Sequence, residues 1–196
     1  MGAPDLIMKI ILGSQSQGRK WVLEEAGMRF DLARADIDEK AIRHDDYEQL
    51  PLLIARAKAD ALVKRIKEPA LLITADTVVI YRGELREKPV SAAQAREFLR
   101  SYAPNEPAWV NTGVVVTNLA TGKRADGIGK AAVYFKSIPS GVIEQAITDG
   151  YVFGCAGSFA IETPLLKPFV THFEGTYDAV LGLPLELTRQ LLKVVA

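Results

Sequence analysis

Asp76 is the residue whose position most calls for chemistry. It interrupts Ile73-Thr74-Ala75-Asp76-Thr77-Val78-Val79-Ile80, a run whose pattern wants apolar side chains on both faces. A carboxylate there costs several kcal/mol unless it is paired or binds a metal. Two readings stay open: a functional carboxylate, and one that accepts backbone N–H bonds at a strand bend. The second candidate is Leu12-Gly13-Ser14-Gln15-Ser16-Gln17-Gly18-Arg19-Lys20, a small-residue loop between a strand and a helix start. Backbone N–H groups and the helix dipole at such a place suit a phosphate. Ser14 and Ser16 add hydroxyl donors, and Arg19 and Lys20 add positive charge. The plain alternative is a strand-to-helix turn capped by Ser16. Gly13, Gly18 and Lys20 nearly spell a P-loop, but Arg19 holds the lysine place and Lys20 replaces the magnesium-binding hydroxyl, so that motif is rejected.

Other charged residues say less alone. Glu39 ends the acidic Asp36-Ile37-Asp38-Glu39, Lys58 lies next to the apolar face of a helix, and Lys88 sits in Glu87-Lys88-Pro89. Each reads by itself as a solvated surface charge. Ala156-Gly157-Ser158-Phe159 is either a tight loop near a ligand or a turn. His44 and His172 read as structural, and Cys155 as a small core residue.

The elements that must position these residues follow from periodicity. Leu6 to Leu12 reads as a buried strand ending at Gly13. A helical pattern begins at Arg19, buries Val22, Leu23 and Ala26, and stops at Gly27. Phe30 to Ile37 reads as a strand. Leu50, Leu53, Ile54, Ala57 and Ala61 recur at helical spacing, with Pro51 in the first turn. Leu71 to Tyr81 is a strand, followed by an Arg82-Gly83 turn. Ser91 and Gln94 form a capping box before a helix with the face Ala95, Phe98, Leu99 and Tyr102. Trp109 to Phe135 reads as a long β-hairpin turning through Asn118 to Gly122. A helix from Pro139 to Gly150, a strand from Phe169 to Thr176 and a helix from Pro184 to Val195 complete the chain. Strands interleaved with helices, plus one hairpin, predict an α/β fold with a mixed sheet.

Composition narrows the function. The 196 residues suggest one domain over 1–196, with 48% hydrophobic and 24% charged residues. Lys plus Arg and Asp plus Glu both count 24, so the net charge is zero. That argues against a nucleic-acid coat or an anionic-membrane binder. One cysteine and two histidines make a soft-metal site improbable and leave a hard cation held by carboxylates open. No apolar run nears the roughly 18 residues of a membrane span, and no secretory signal is recognised, so an intracellular soluble protein is expected.

Taken together, the motifs resemble the Maf family of nucleoside triphosphate pyrophosphatases. The resemblance rests on Ser14-x-Ser16-x-x-Arg19-Lys20, Asp36-Ile37-Asp38-Glu39, Ala55-Arg56-Ala57-Lys58-Ala59 and Ala75-Asp76-Thr77-Val78-Val79. It continues through Lys88-Pro89, Thr112-Gly113, Ala156-Gly157-Ser158-Phe159 and Gly182-Leu183-Pro184. It implies an elongated mixed sheet flanked by helices, with two lobes around a cleft. It implies a cytoplasmic house-cleaning hydrolase, often a homodimer, with no membrane or stable nucleic-acid partner. The activity implied is conversion of a nucleoside triphosphate to its monophosphate and pyrophosphate with Mg²⁺ or Mn²⁺. Glu39 and Asp76 would be the catalytic carboxylates and metal ligands. Ser14, Ser16, Arg19, Lys58 and Lys88 would contact the phosphates.

The chain departs from the family at Ser16-Gln17-Gly18-Arg19, where Ser-Pro-Arg-Arg is usual. The proline and the first arginine are gone. Their loss is the best support for the rival reading, a nucleotide-binding regulator of cell division without turnover. In the loop, pyrimidine-selective members carry a Gln where this chain has Glu162. A Gln amide donates and accepts, matching uracil, whereas a carboxylate only accepts, matching the N–H donors of guanine. The expected substrate leans to 7-methyl-GTP over dTTP or UTP.

Overall fold

Alternation along the strands sorts their side chains between helices on the two sides of a sheet. The computed structural model describes residues 8–159 and 161–196. Its strands are β1 (Ile10–Leu12), β2 (Phe30–Leu32), β3 (Leu71–Tyr81), β4 (Glu84–Arg86), β5 (Ala108–Asn118), β6 (Arg124–Phe135) and β7 (Val170–Glu174). Its α-helices are α1 (Gln17–Glu25), α2 (Leu50–Arg65), α3 (Ala92–Ser101), α4 (Ser140–Asp149), α5 (Tyr177–Val180) and α6 (Leu185–Val195). The sheet runs β2-β1-β3-β5-β6-β7, with β4 paired to β3. Strand β1 is parallel to β2 and β3, while β4 and β7 run antiparallel to β3 and β6. The α/β class and the mixed sheet are therefore as the sequence predicts. No helix among the described residues is long and apolar enough to cross a membrane.

The chain forms two compact units. The first comprises the described residues through Asp76 together with Thr112–Gly129 and Leu181–Ala196. In it, Leu71, Ile73 and Ala75 of β3 join Leu12, Val114 and Val116 in a core closed by Val22 and Leu23 of α1 and by Leu191, Leu192 and Val195 of α6. The alternate residues turn toward α2. Leu72 packs with Leu62, and Val115 packs with Leu52, Ala55 and Ala59. Thr74 Oγ1 donates to the Ala55 carbonyl at 2.8 Å. Two residues on, the same alternation aims Asp76 at α2. The start of that helix lies so close to β5 that a Cβ on Gly113 would sit 2.4 Å from Leu52 Cα.

The second unit comprises Thr77–Asn111 and Lys130–Val180. Its hairpin from β3 to β4 turns through Arg82 and Gly83, with φ of 53° and 78°, the signature of a type I′ turn. Ser91 caps α3 by accepting from Gln94 N at 3.2 Å, and Gln94 Oε1 reaches back to Val90 N at 2.9 Å. The unit's interior is aromatic: Tyr102 packs against Tyr81, Phe135 and Phe159 at centroid distances of 5.0, 4.8 and 5.6 Å.

Several boundaries differ from expectation. Leu6 and Ile7, placed in the first strand by the sequence, lie outside the described residues, as does Ala160. Strand β2 stops at Leu32 instead of Ile37, because its pairing partner β1 ends at Leu12, opposite Leu32. Helix α1 starts at Gln17, ahead of Arg19. Tyr102 is not on the face of α3 but just past its end, in extended backbone. Strand β7 is the shorter Val170–Glu174, and the short helix α5 was not expected.

Candidate active site

The first unit gathers Ser14, Ser16, Arg19, Glu39, Lys58 and Asp76. Ser16 caps α1, its Oγ accepting from Arg19 N at 3.5 Å, so the expected cap is present. Its own N–H donates to Ser14 Oγ at 3.3 Å. The Arg19 side chain turns inward and is buried. Its Nε donates to the Gly182 carbonyl at 2.8 Å, and its Nη1 donates to the Ala75 carbonyl at 3.0 Å and to Ser14 Oγ at 2.8 Å. Burial pulls its pKa down, and the Asp76 and Glu39 carboxylates oppose that shift. A guanidinium stays charged regardless. Arg19 thus ties together the small-residue loop, the strand that carries Asp76 and the segment before α6.

The same segment accounts for Gly18. A Cβ there would lie 2.7 Å from the Leu181 carbonyl oxygen. The backbone of 181 occupies the space an arginine at 18 would need at its root. Gly18→Arg is therefore expected to destabilise the protein by about 1–3 kcal/mol, as overpacking does. Thermal melting reads this, and an unchanged midpoint would mean that Leu181 yields without cost.

Helix α2 supplies the central cation. Its buried residues are Leu50, Pro51, Leu52, Ile54, Ala55, Lys58, Ala59 and Leu62, whereas Leu53, Ala57 and Ala61 are only half-buried. The buried face is rotated from the expected one, and the rotation brings Lys58 inside. The reading of Lys58 as a lone surface charge is thereby corrected: it is 7% exposed. Lys58 Nζ donates to Asp76 Oδ1 at 2.6 Å, contacts Glu39 Oε1 at 2.9 Å and reaches the Ala75 carbonyl at 3.4 Å. Asp76 is 8% exposed, within a regular strand, and an ammonium matches its charge. Burial raises the Asp76 pKa; Lys58 and Arg19 work against the rise, and Glu39 adds to it. Glu39 itself is exposed. It opens the short turn Glu39–Ala41, which Asp38 caps by accepting from Lys40 N at 3.1 Å.

This donor set defines what cation the site suits. Two carboxylates meet at one positively charged nitrogen, so their oxygens can share a cation. Among the described residues, no group of three or more His, Cys, Asp or Glu forms a metal cage. Two hard oxygen ligands fit Mg²⁺ or Mn²⁺, which commonly take one or two carboxylates and complete their shell with substrate phosphates and water.

Lys88 and Glu162 belong to the second unit, and both are exposed. Both act on Cys155, whose thiol is pushed up to about 11 by burial and by Glu162, with Lys88 opposing. Cys155 is half-buried. Between them runs a tight loop in which Gly157 and Ser158 both take positive φ, 67° and 64°. His44 Nδ1 accepts from Asp46 N at 3.0 Å, and His172 stacks on Tyr134 with centroids 4.2 Å apart, so both are engaged locally. Sequence reasoning missed the Ala75 and Gly182 carbonyls that hold Arg19. Backbone acceptors leave no side-chain signature, although Gly182-Leu183-Pro184 had stood out as a motif.

Comparisons with known proteins find similarity along nearly the whole chain. A family profile described as "Maf-like protein" matches residues 9–195. A "7-methyl-GTP pyrophosphatase" of Dictyostelium discoideum is 43% identical, covering 95% of this chain and 97% of its own. A "dTTP/UTP pyrophosphatase" of Vibrio vulnificus (strain YJ016) is 34% identical, covering 94% and 97%. A "Nucleoside triphosphate pyrophosphatase" of Synechococcus sp. (strain JA-2-3B'a(2-13)) is 30% identical, covering 96% and 94%.

Proposed function

The chain belongs to the Maf-like protein family, and from that premise we propose that it hydrolyses a nucleoside triphosphate to the monophosphate and pyrophosphate. One observation carries the reading: Asp76 and Glu39 converge on Lys58 Nζ, and the Ala75 carbonyl links that nitrogen to the Arg19-held loop. Breaking the α–β phosphate linkage shifts negative charge onto the leaving pyrophosphate, so fixed positive charge supplies much of the catalysis. Arg19 and Lys58 provide it without reorganising. Ser14 Oγ already accepts from Arg19 and from Ser16 N, so its own hydrogen is left to donate to a phosphate oxygen. Asp76 takes the proton from the attacking water; the water oxygen bonds the α-phosphorus, and pyrophosphate departs with the electrons of the broken P–O bond. A carboxylate made more basic by burial suits that task. Glu39 and Asp76 would hold Mg²⁺ or Mn²⁺, which when bound neutralises phosphate charge. Lys88 adds a cation for the triphosphate. A cytoplasmic homodimer is the setting the same premise carries.

The proposed substrate is 7-methyl-GTP. Glu162 accepts from the N–H donors of the guanine edge, and its charge complements a methylated, cationic base. The 43% identical relative bears that activity in its name. The test is pyrophosphate release from 7-methyl-GTP, GTP, ATP, CTP, UTP, dTTP and dITP with Mg²⁺ and with Mn²⁺. Release that favours 7-methyl-GTP supports the reading, and none from any nucleotide overturns it. Glu162→Gln should lower the preference for 7-methyl-GTP over UTP by about tenfold, the scale of one charged hydrogen bond. An unchanged ratio would remove Glu162 from base selection.

A further inference from the structure

Tyr102 belongs to none of the motifs that carry the family resemblance, yet its hydroxyl donates to the Gly157 carbonyl at 2.8 Å. The Gly157 N–H donates in turn to the Glu87 carbonyl at 3.2 Å, next to Lys88. Gly157 therefore joins the segment that bears Lys88 to the loop that leads to Glu162. The fit is close: a Cβ on Gly157 would lie 2.7 Å from the Tyr102 hydroxyl oxygen. The loop needs an external hold, because Gly157 and Ser158 are consecutive positive-φ residues and Ser158 Oγ is buried with no hydrogen-bond partner among the described residues.

Tyr102 is itself fixed on all sides. The Tyr81 hydroxyl donates to the Ser101 carbonyl at 2.9 Å and accepts from Ala103 N at 3.0 Å, gripping the backbone before and after it. Its ring stacks on Phe135, meets Phe159 edge-on, and has the Arg86 guanidinium 4.9 Å from its centroid. Arg86 ends β4, two residues before Lys88, and its Nη1 donates to the Phe98 carbonyl at 3.2 Å.

We infer that Tyr102 is a positioning residue for substrate binding: its hydroxyl latches Gly157 and thereby sets Lys88 and Glu162 at a fixed separation. The inference rests on the phosphate and base roles proposed above for those two residues. Side chains held by packing and hydrogen bonds bind with less ordering cost. Releasing the latch weakens binding of the nucleotide and leaves the reacting groups of the first unit untouched.

Tyr102→Phe keeps every ring contact and deletes the hydroxyl. The KM for 7-methyl-GTP should rise about three- to tenfold, the worth of one neutral hydrogen bond, with kcat within twofold of the parent. Hydrogen exchange at the Gly157 amide should accelerate at that locus alone. If KM and Gly157 exchange both match the parent, or if kcat falls with KM unchanged, the latch is overturned. Should this variant not fold, the parent protein decides by exchange at the Gly157 amide: protection no greater than that of an exposed amide overturns the latch. Failure of the parent protein to release pyrophosphate overturns the proposed activity instead, and the exchange measurement then still judges the latch.

Discussion

Asp76→Asn lowers pyrophosphate release by about 10³-fold and leaves the chain folded. The loss follows from removing the group assigned to take the water's proton, together with one of the two metal-binding carboxylates. The intact fold follows from what remains: Lys58 keeps Glu39 Oε1 at 2.9 Å and the Ala75 carbonyl at 3.4 Å, so it is not left as a bare buried charge. The pH dependence is a separate signature. Burial holds the folded pKa of Asp76 above its ordinary value of 3.8. The folded state therefore binds that proton more tightly than the unfolded chain does. The stability this gives is fully present below 3.8 and is lost as pH rises through the folded pKa. Asparagine has no proton to lose, so its stability relative to the parent should improve as pH climbs across that window. Denaturant melts at a series of pH values measure the difference. A gap that moves against the variant with rising pH would contradict the assignment, and so would near-normal turnover.

Lys58→Met has the opposite stability profile. Removing the ammonium leaves Asp76 buried beside the partly exposed Glu39 with no cation between them. Breaking one side of a buried ion pair typically costs about 3–5 kcal/mol. Asp76 can escape much of that cost by taking up a proton, so the deficit should grow as pH rises through the carboxylate's raised titration. Turnover should fall by about 10²–10³-fold, as when a fixed charge is withdrawn from a transition state. The double variant Lys58→Met/Asp76→Asn separates the two effects. It should recover most of the lost stability at a pH where the Asp76 carboxylate is ionised, and none of the turnover. A double variant no more stable than Lys58→Met would show that lost packing of the lysine stem, not the stranded carboxylate, causes the damage.

The two variants also mark what the sequence made legible. Asp76 stood out because a carboxylate broke an apolar strand whose ends, Leu71 and Tyr81, are those of β3. Strands with that much apolar content announce themselves. Lys58 did not, because the expected face of α2 was drawn through Leu53, Ala57 and Ala61, and alanine pins a helix face poorly. Rotating the buried set slightly turns a surface lysine into the centre of the site. Arg19 was legible as a cation but not as a buried one, since its partners at Ala75 and Gly182 are carbonyls that any residue could offer. Tyr102 fits the spacing of the α3 face, and only the extended backbone past Ser101 frees its hydroxyl to reach Gly157.

The bond from Arg19 to the Gly182 carbonyl joins residues 163 positions apart. Nothing in the sequence near Arg19 supplies that acceptor, so the small-residue loop after β1 is completed by a long-range closure and not by local folding. The entropy of closing so long a stretch must be overcome before the bond rewards it. The first strand and helix can therefore form while the Arg19 side chain still lacks this anchor, and the loop takes its final shape only when the segment at 182 docks.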